Sequence, residues 1–83
     1  MKYLVLTMRL PEFDQQIIPA HYRFLDDLRD RSLLEQAGPF TDKSGGAYVL
    51  QAGSLEEARR LANQDPLALR NCSKVTVHEW DAS

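Results

Sequence analysis

The chain has 83 residues, a mass of 9.5 kDa, a net charge of −2 and a sequence pI near 5.6. That length holds one domain, residues 1–83, with a thin core, because so short a chain buries only about 60–65% of its unfolded surface. Hydrophobic residues make up 43% and charged residues 27%, too apolar for a disordered segment. The acidic balance argues against a nucleic-acid partner, since a phosphate backbone is met by surplus Lys and Arg. A lone cysteine, Cys72, excludes an internal disulfide framework and a cysteine-built zinc site. It reads as a small buried hydrophobe, and a reducing cytoplasm is the expected compartment. No stretch approaches the ~20 apolar residues of a membrane span. The apolar run after Lys2 is too short for a signal peptide and no small-residue cleavage site follows.

Residues 2–8, rich in aromatic and β-branched side chains, predict a first strand, β1. Alternation sends Tyr3, Val5 and Thr7 to one face and Leu4, Leu6 and Met8 to the other. Both faces are largely apolar, so both need cover. Pro11 and the polar stretch to Gln16 read as a loop. Residues 17–31 predict an amphipathic helix, α1, with Ile17, Ile18, His21, Phe24, Leu25 and Leu28 at three- and four-residue spacing. Pro19 fits its first turn, where a missing N–H is not needed. Arg23/Asp27 and Asp27/Arg31 stand four apart on the opposite, solvated side.

Leu33 to Ala37 predict β2, stopped by Gly38-Pro39, and residues 39–45 predict a loop. Residues 46–52 predict β3, ended by Gly53. Ser54-Leu55-Glu56-Glu57 is a capping box, in which the Ser54 hydroxyl accepts from the Glu57 N–H and the Glu57 carboxylate reaches back. It opens α2, with Leu55, Ala58, Leu61 and Ala62 on one side and Glu56/Arg60 as an i,i+4 pair. Asp65-Pro66 ends that helix. Residues 67–72 suit a further helical turn, and residues 74–80 alternate as β4.

The order β-α-β-β-α-β predicts an α+β, ferredoxin-like fold, with one four-stranded sheet and both helices on one face. If Val75 and Val77 face the helices, then Thr76, His78 and Trp80 face away. That half-apolar open face predicts a homodimer through the sheet. Strand direction also collects distant residues at one end. Arg9 at the end of β1, His21 in the first turn of α1, the 39–45 loop and Asp65 after α2 all fall there.

His21 is the leading candidate for chemistry, because imidazole titrates near neutrality and suits general acid–base work. A carboxylate on one ring nitrogen fixes the tautomer and raises the basicity of the other. Asp65 can fill that role. It equally suits the N-cap of a short helix opened by Pro66, and one carboxylate can do both. Arg9 and Lys43 are candidates for binding an anionic substrate, with plain surface charge as the alternative, and Ser44 for donating a hydrogen bond to one, with an ordinary turn serine as the alternative. His78, mid-strand on the open face, suits an interface. Tyr48 and Trp80 read as core or interface residues first and as ligand-stacking residues second. Gly45-Gly46 is too short for a phosphate loop, His21 and His78 make no metal motif, and no Ser or Cys stands in a nucleophile elbow. No cofactor is therefore expected. RNA-recognition domains share the strand order, but they stack bases on several aromatic residues after a basic first position. Here the segment is Gly45-Gly46-Ala47-Tyr48-Val49-Leu50, with one aromatic residue and no nearby Arg.

An ordered set of residues resembles the YCII-related (YciI-like) family. It comprises His21-Tyr22 with Leu25, Leu33 to Pro39, Gly45-Gly46, Ala52 to Ala58, Asp65-Pro66-Leu67, and Val77-His78-Glu79-Trp80. The resemblance implies a dimeric α+β barrel with an active site built around a His and an Asp, here His21 and Asp65. It implies proton-transfer or elimination chemistry, dehydrochlorinase-like reactions included, on small and often aromatic substrates. Two positions depart: Ile18 stands where such proteins often carry Arg, and Ser32 follows α1 where they often carry Gly.

The combined expectation is a small enzyme of lyase, isomerase or elimination type. His21 takes or delivers a proton and Asp65 orients it, help worth about 10²–10⁴ in rate. The alternative is a non-catalytic small-ligand-binding or accessory domain on the same dimeric fold, since fold does not decide function. An open polar pocket holding both side chains favours the enzyme; a dry, filled site favours the alternative.

Overall fold

A computed structural model describes all 83 residues. The elements are β1 (Lys2–Arg9), a 3₁₀ turn (Gln15–Ile17), α1 (Ile18–Asp30), β2 (Leu34–Pro39), β3 (Gly45–Gln51), α2 (Leu55–Ala62), α3 (Pro66–Leu69) and β4 (Ser73–Trp80). Four antiparallel strands form one sheet in the order β2-β3-β1-β4, the expected ferredoxin-like α+β arrangement. No helix is long and apolar enough to cross a membrane.

The core forms where the helix stripes meet the sheet. Tyr3 and Val5 of β1, Tyr48 and Leu50 of β3, Leu25 and Leu28 of α1, and Ala58, Leu61 and Ala62 of α2 share one cluster. Each Val- or Leu-sized side chain buried there contributes about 1.5–3 kcal/mol, and each alanine methyl about 0.8 kcal/mol. Ile17, Leu67 and Cys72 form a smaller cluster beneath the 3₁₀ turn and α3. The other sheet face is open. Pairing sets Leu4 beside Val49 and His78, Leu6 beside Ala47 and Thr76, and Lys2 beside Trp80 on that side. Met8 and Trp80 are exposed, at 39% and 45%.

Local signals explain the boundaries. The Ser54 hydroxyl accepts from Glu57 N–H at 3.1 Å, while the Glu57 carboxylate accepts from Gly53 N–H at 3.2 Å. The reciprocal bond thus falls one residue before the cap. Helix α1 starts after a 3₁₀ turn that Asp14 caps through Gln16 N–H, which displaces its expected start by one residue. Ser32 then takes φ 60°, the left-handed conformation that glycine adopts most easily.

Three expectations need correction. β2 is not stopped by Gly38-Pro39 but runs through both, with Pro39 opposite Gly46. β2 is an edge strand, where a missing N–H leaves no ladder bond unmade. A bulge at Glu35 shifts its register between Leu34 and Gln36. The ion pairs also differ. Arg23 with Asp27 and Glu56 with Arg60 are not formed; Arg31–Asp27 forms as expected, at 3.4 Å, and Arg29–Asp26 forms in addition, at 3.1 Å. All four of these side chains are solvent-exposed, so each pair contributes little.

Candidate functional site

Asp65 sits where α2 has ended and α3 begins. Pro66 fills the first helical position of α3, and Asp65 Oδ1 accepts from Leu67 N–H at 2.9 Å as an N-cap. The same oxygen lies 2.9 Å from His21 Nδ1, and Oδ2 accepts from the Tyr48 hydroxyl at 3.1 Å. Asp65 is fully buried, so these three donors replace its lost hydration. Capping and bonding His21 coexist in one carboxylate.

His21 stands one turn into α1, between Ile18 and Leu25 along the apolar stripe. Its side chain keeps 15% exposure, whereas that of Asp65 has none. Solvent and ligands therefore reach the pair only through the imidazole. With Nδ1 turned to Asp65, Nε2 is the ring nitrogen left for a ligand. Tyr22 and Tyr48 flank the ring, with centroids 5.7 and 6.2 Å away.

Tyr48 is the member that sequence reasoning missed. It is buried in the core, as its place in β3 suggests, and its hydroxyl also anchors Asp65. Burial first, then the adjacent Asp65 charge, pushes its ionisation far above the ordinary tyrosine range. The phenol therefore remains a hydrogen-bond donor at any working pH. A buried Tyr hydroxyl requires a partner, and that requirement was the available signal.

A cleft opens beside the His21 ring, with about 530 Å³ of empty space including its mouth. The cavity proper is only about 70 Å³, well below the about 300–1,000 Å³ of a drug-sized site, so the cleft suits a small ligand that also occupies its mouth. His21, Arg9, Phe13, Tyr22 and Ser73 line it together with the bare backbone of Gly45 and Gly46. A methyl group at Gly45 would land on the Thr7 carbonyl, so glycine lets β3 close against β1 there. The cleft holds His21 but not Asp65, and apolar atoms dominate its walls, so it meets only in part the expectation of an open polar pocket holding both side chains.

The other expected site residues divide. Arg9 reaches the cleft, its guanidinium 4.1 Å from the centroid of the Phe13 ring. Ser44 is not in the cleft wall. Its hydroxyl and N–H both donate to Asp42 Oδ1, at 2.6 and 2.9 Å, and these bonds hold the Asp42 carboxyl below its usual range. The turn itself uses the group expected to meet a substrate. Lys43 is exposed at the tip of that turn, and His78 lies on the open sheet face, away from the cleft. No group of three His, Cys, Asp or Glu side chains converges to hold a metal.

The sequence profile of the YCII-related domain matches residues 1–81. The chain belongs to the YCII-related family. Among its members, the uncharacterized protein YjpA of Bacillus subtilis (strain 168) is 47% identical over 78 residues, covering 94% of this chain and 92% of that one. A solved structure also shares the YCII-related chain's fold: 5-chloro-2-hydroxyhydroquinone dehydrochlorinase (TftG) from Burkholderia phenoliruptrix AC1100, in complex with 2,5-dihydroxybenzoquinone. The TM-score is 0.81 at 21% identity, over 100% of this chain and 96% of the other.

Proposed function

We propose that this single domain is a small-molecule enzyme in which His21 moves a proton and Asp65 holds the ring. The observation that carries the reading is the 2.9 Å bond from His21 Nδ1 to a fully buried carboxylate, with the ring bordering an open cleft. The carboxylate keeps Nδ1 protonated, so Nε2 presents its lone pair to a ligand. When Nε2 takes a proton, the adjacent Asp65 stabilises the cation. The solved dehydrochlorinase of like fold makes elimination the leading class. There Nε2 takes a substrate proton, the electron pair left behind forms the new double bond, and chloride departs. The net loss is HCl, and the proton passes on to water.

Self-association through the open sheet face and a cytoplasmic setting belong to the same reading. Exposed Met8 and Trp80 beside Leu4 and Leu6 support the first. Sedimentation of the purified chain then gives the mass of two copies, and a monomer at micromolar concentration removes that part.

The test is chloride release from 5-chloro-2-hydroxyhydroquinone, alongside deuterium exchange into a panel of small phenols and enolisable ketones. Turnover by the wild type, reduced about 10²–10⁴-fold in His21→Gln, is the expected result. An unchanged rate in His21→Gln contradicts the reading. Saturable binding of 2,5-dihydroxybenzoquinone with no turnover of any compound favours the non-catalytic ligand-binding alternative.

A further inference from the structure

Arg9 and Ser73 are a pair made by register. Arg9 ends β1 and Ser73 opens β4, and the two are direct partners across the antiparallel ladder. Side chains of such partners project from the same face, about 4.5–5.5 Å apart at Cβ. Both belong to the cleft wall that also contains His21.

Three observations single this corner out. The Ser73 hydroxyl is buried and has no hydrogen-bond partner, in a residue only 5% exposed. An unpaired buried hydroxyl is unfavourable and uncommon in folded proteins. Arg9 is in no ion pair; its guanidinium rests on the Phe13 ring, which holds the charge at the cleft. The cleft wall contains no acidic side chain at all, because Asp65 is sealed behind His21 and Tyr48. One cation at the cleft, one unpartnered hydroxyl buried in its wall and no competing carboxylate describe a receptor for a single oxyanion. The surrounding groups are flat or bare: Phe13, Tyr22, and the side-chain-free backbone of Gly45 and Gly46.

We infer that the cleft takes a planar organic anion, a carboxylate or phenolate, whose charged oxygen is held by Arg9 and Ser73 at the β1/β4 strand ends. The inference rests on the proposed function for the idea that His21 Nε2 acts on the same molecule. The anion site itself stands independently of any turnover. Arg9 supplies the charge and part of the donor set, and the Ser73 hydroxyl supplies a second donor that selects oxygen over an apolar substituent.

The experiment is a ¹H–¹⁵N NMR titration of the full chain with two anions, benzoate and 4-nitrophenolate at pH 8.5, and with neutral benzamide. Saturable shifts at Arg9, Ser73 and His21 are expected with at least one anion and not with benzamide. Arg9→Gln should weaken that anion about tenfold or more, the size of a charge-assisted hydrogen bond. Ser73→Ala should weaken it about threefold to tenfold, with Thr in place of Ser restoring part of the loss. The two anions show whether the carboxylate or the phenolate form is preferred. Equal binding of benzamide, no binding of either anion, or unchanged affinity in Arg9→Gln overturns the inference. His21→Gln separates it from the proposed function, since that variant should lose turnover while retaining the anion within about threefold. Anion binding lost in Arg9→Gln but turnover unaffected by His21→Gln would leave the anion site standing and remove the proton-transfer reading.

Discussion

The two histidines of this chain have the same side chain and opposite circumstances. His21 is held at Nδ1 by a fully buried carboxylate and borders a cleft. His78 lies exposed on the open face of β4, beside Leu4, in no hydrogen bond with another side chain. Residue type alone does not separate them. Position decides between them, because acid–base work needs a defined tautomer, a ligand space and a charge to answer the proton. His21 has a carboxylate on one ring nitrogen and a cleft beside it, and His78 has neither. The difference comes from topology: β1 and α2 end on the same side of the sheet, so the first turn of α1 meets Asp65 from 44 positions away.

The comparison breaks most readily at the histidines themselves. His21→Gln should reduce any proton-transfer turnover about 10²–10⁴-fold, while His78→Ala leaves it within about twofold. Steady-state kinetics on both variants is the check, and equal losses would dissolve the distinction. Next in size is Asp65→Ala. It leaves His21, Tyr48 and Leu67 without their acceptor and opens a buried void, so a loss of about 3–5 kcal/mol is expected in urea unfolding. In a domain this small that is a large share of total stability. Asp65→Asn keeps the volume and serves if the alanine variant does not fold.

Tyr48→Phe is a sharper probe, since it removes one donor from Asp65 and little else. A loss of about 1.5–3 kcal/mol is expected, the range for a hydrogen bond to a charged group. Because Tyr48 acts through Asp65, turnover should fall far less than in His21→Gln. The smallest effect belongs to Ser54→Ala at the far end of α2. Loss of that N-cap should lower stability by about 1 kcal/mol and leave turnover untouched, which separates scaffold from site.

Much of this was legible in the sequence, for physical reasons that differ by residue. The capping box at Ser54 and the Asp65-Pro66 pair announce helix starts through local chemistry alone. The β-α-β-β-α-β order fixes strand direction, and direction is enough to bring His21 and Asp65 to one end. Tyr48 was not legible as an anchor. Alternation tells which face of β3 it occupies but not where a phenol oxygen ends some six ångströms from the backbone. Pro39 looked like a strand breaker because an edge position depends on pairings that local sequence does not show. Ser44 carries two readings in the sequence, substrate donor and ordinary turn serine, and the turn bonds to Asp42 match the second. An Asp two residues earlier in a turn is the usual local acceptor for a Ser N–H and hydroxyl. Ser73 gave no signal, because an orphaned hydroxyl exists only once its surroundings are known.

The most direct measurement is long-range ¹H–¹⁵N NMR of both imidazole rings at a pH where they are neutral. The account predicts one tautomer for His21, with the proton on Nδ1 and a bare Nε2, and a mixture for His78. It further predicts that Asp65→Ala releases His21 into a similar mixture. A His21 ring protonated at Nε2, or one whose tautomer ignores the loss of Asp65, would contradict the account at its centre.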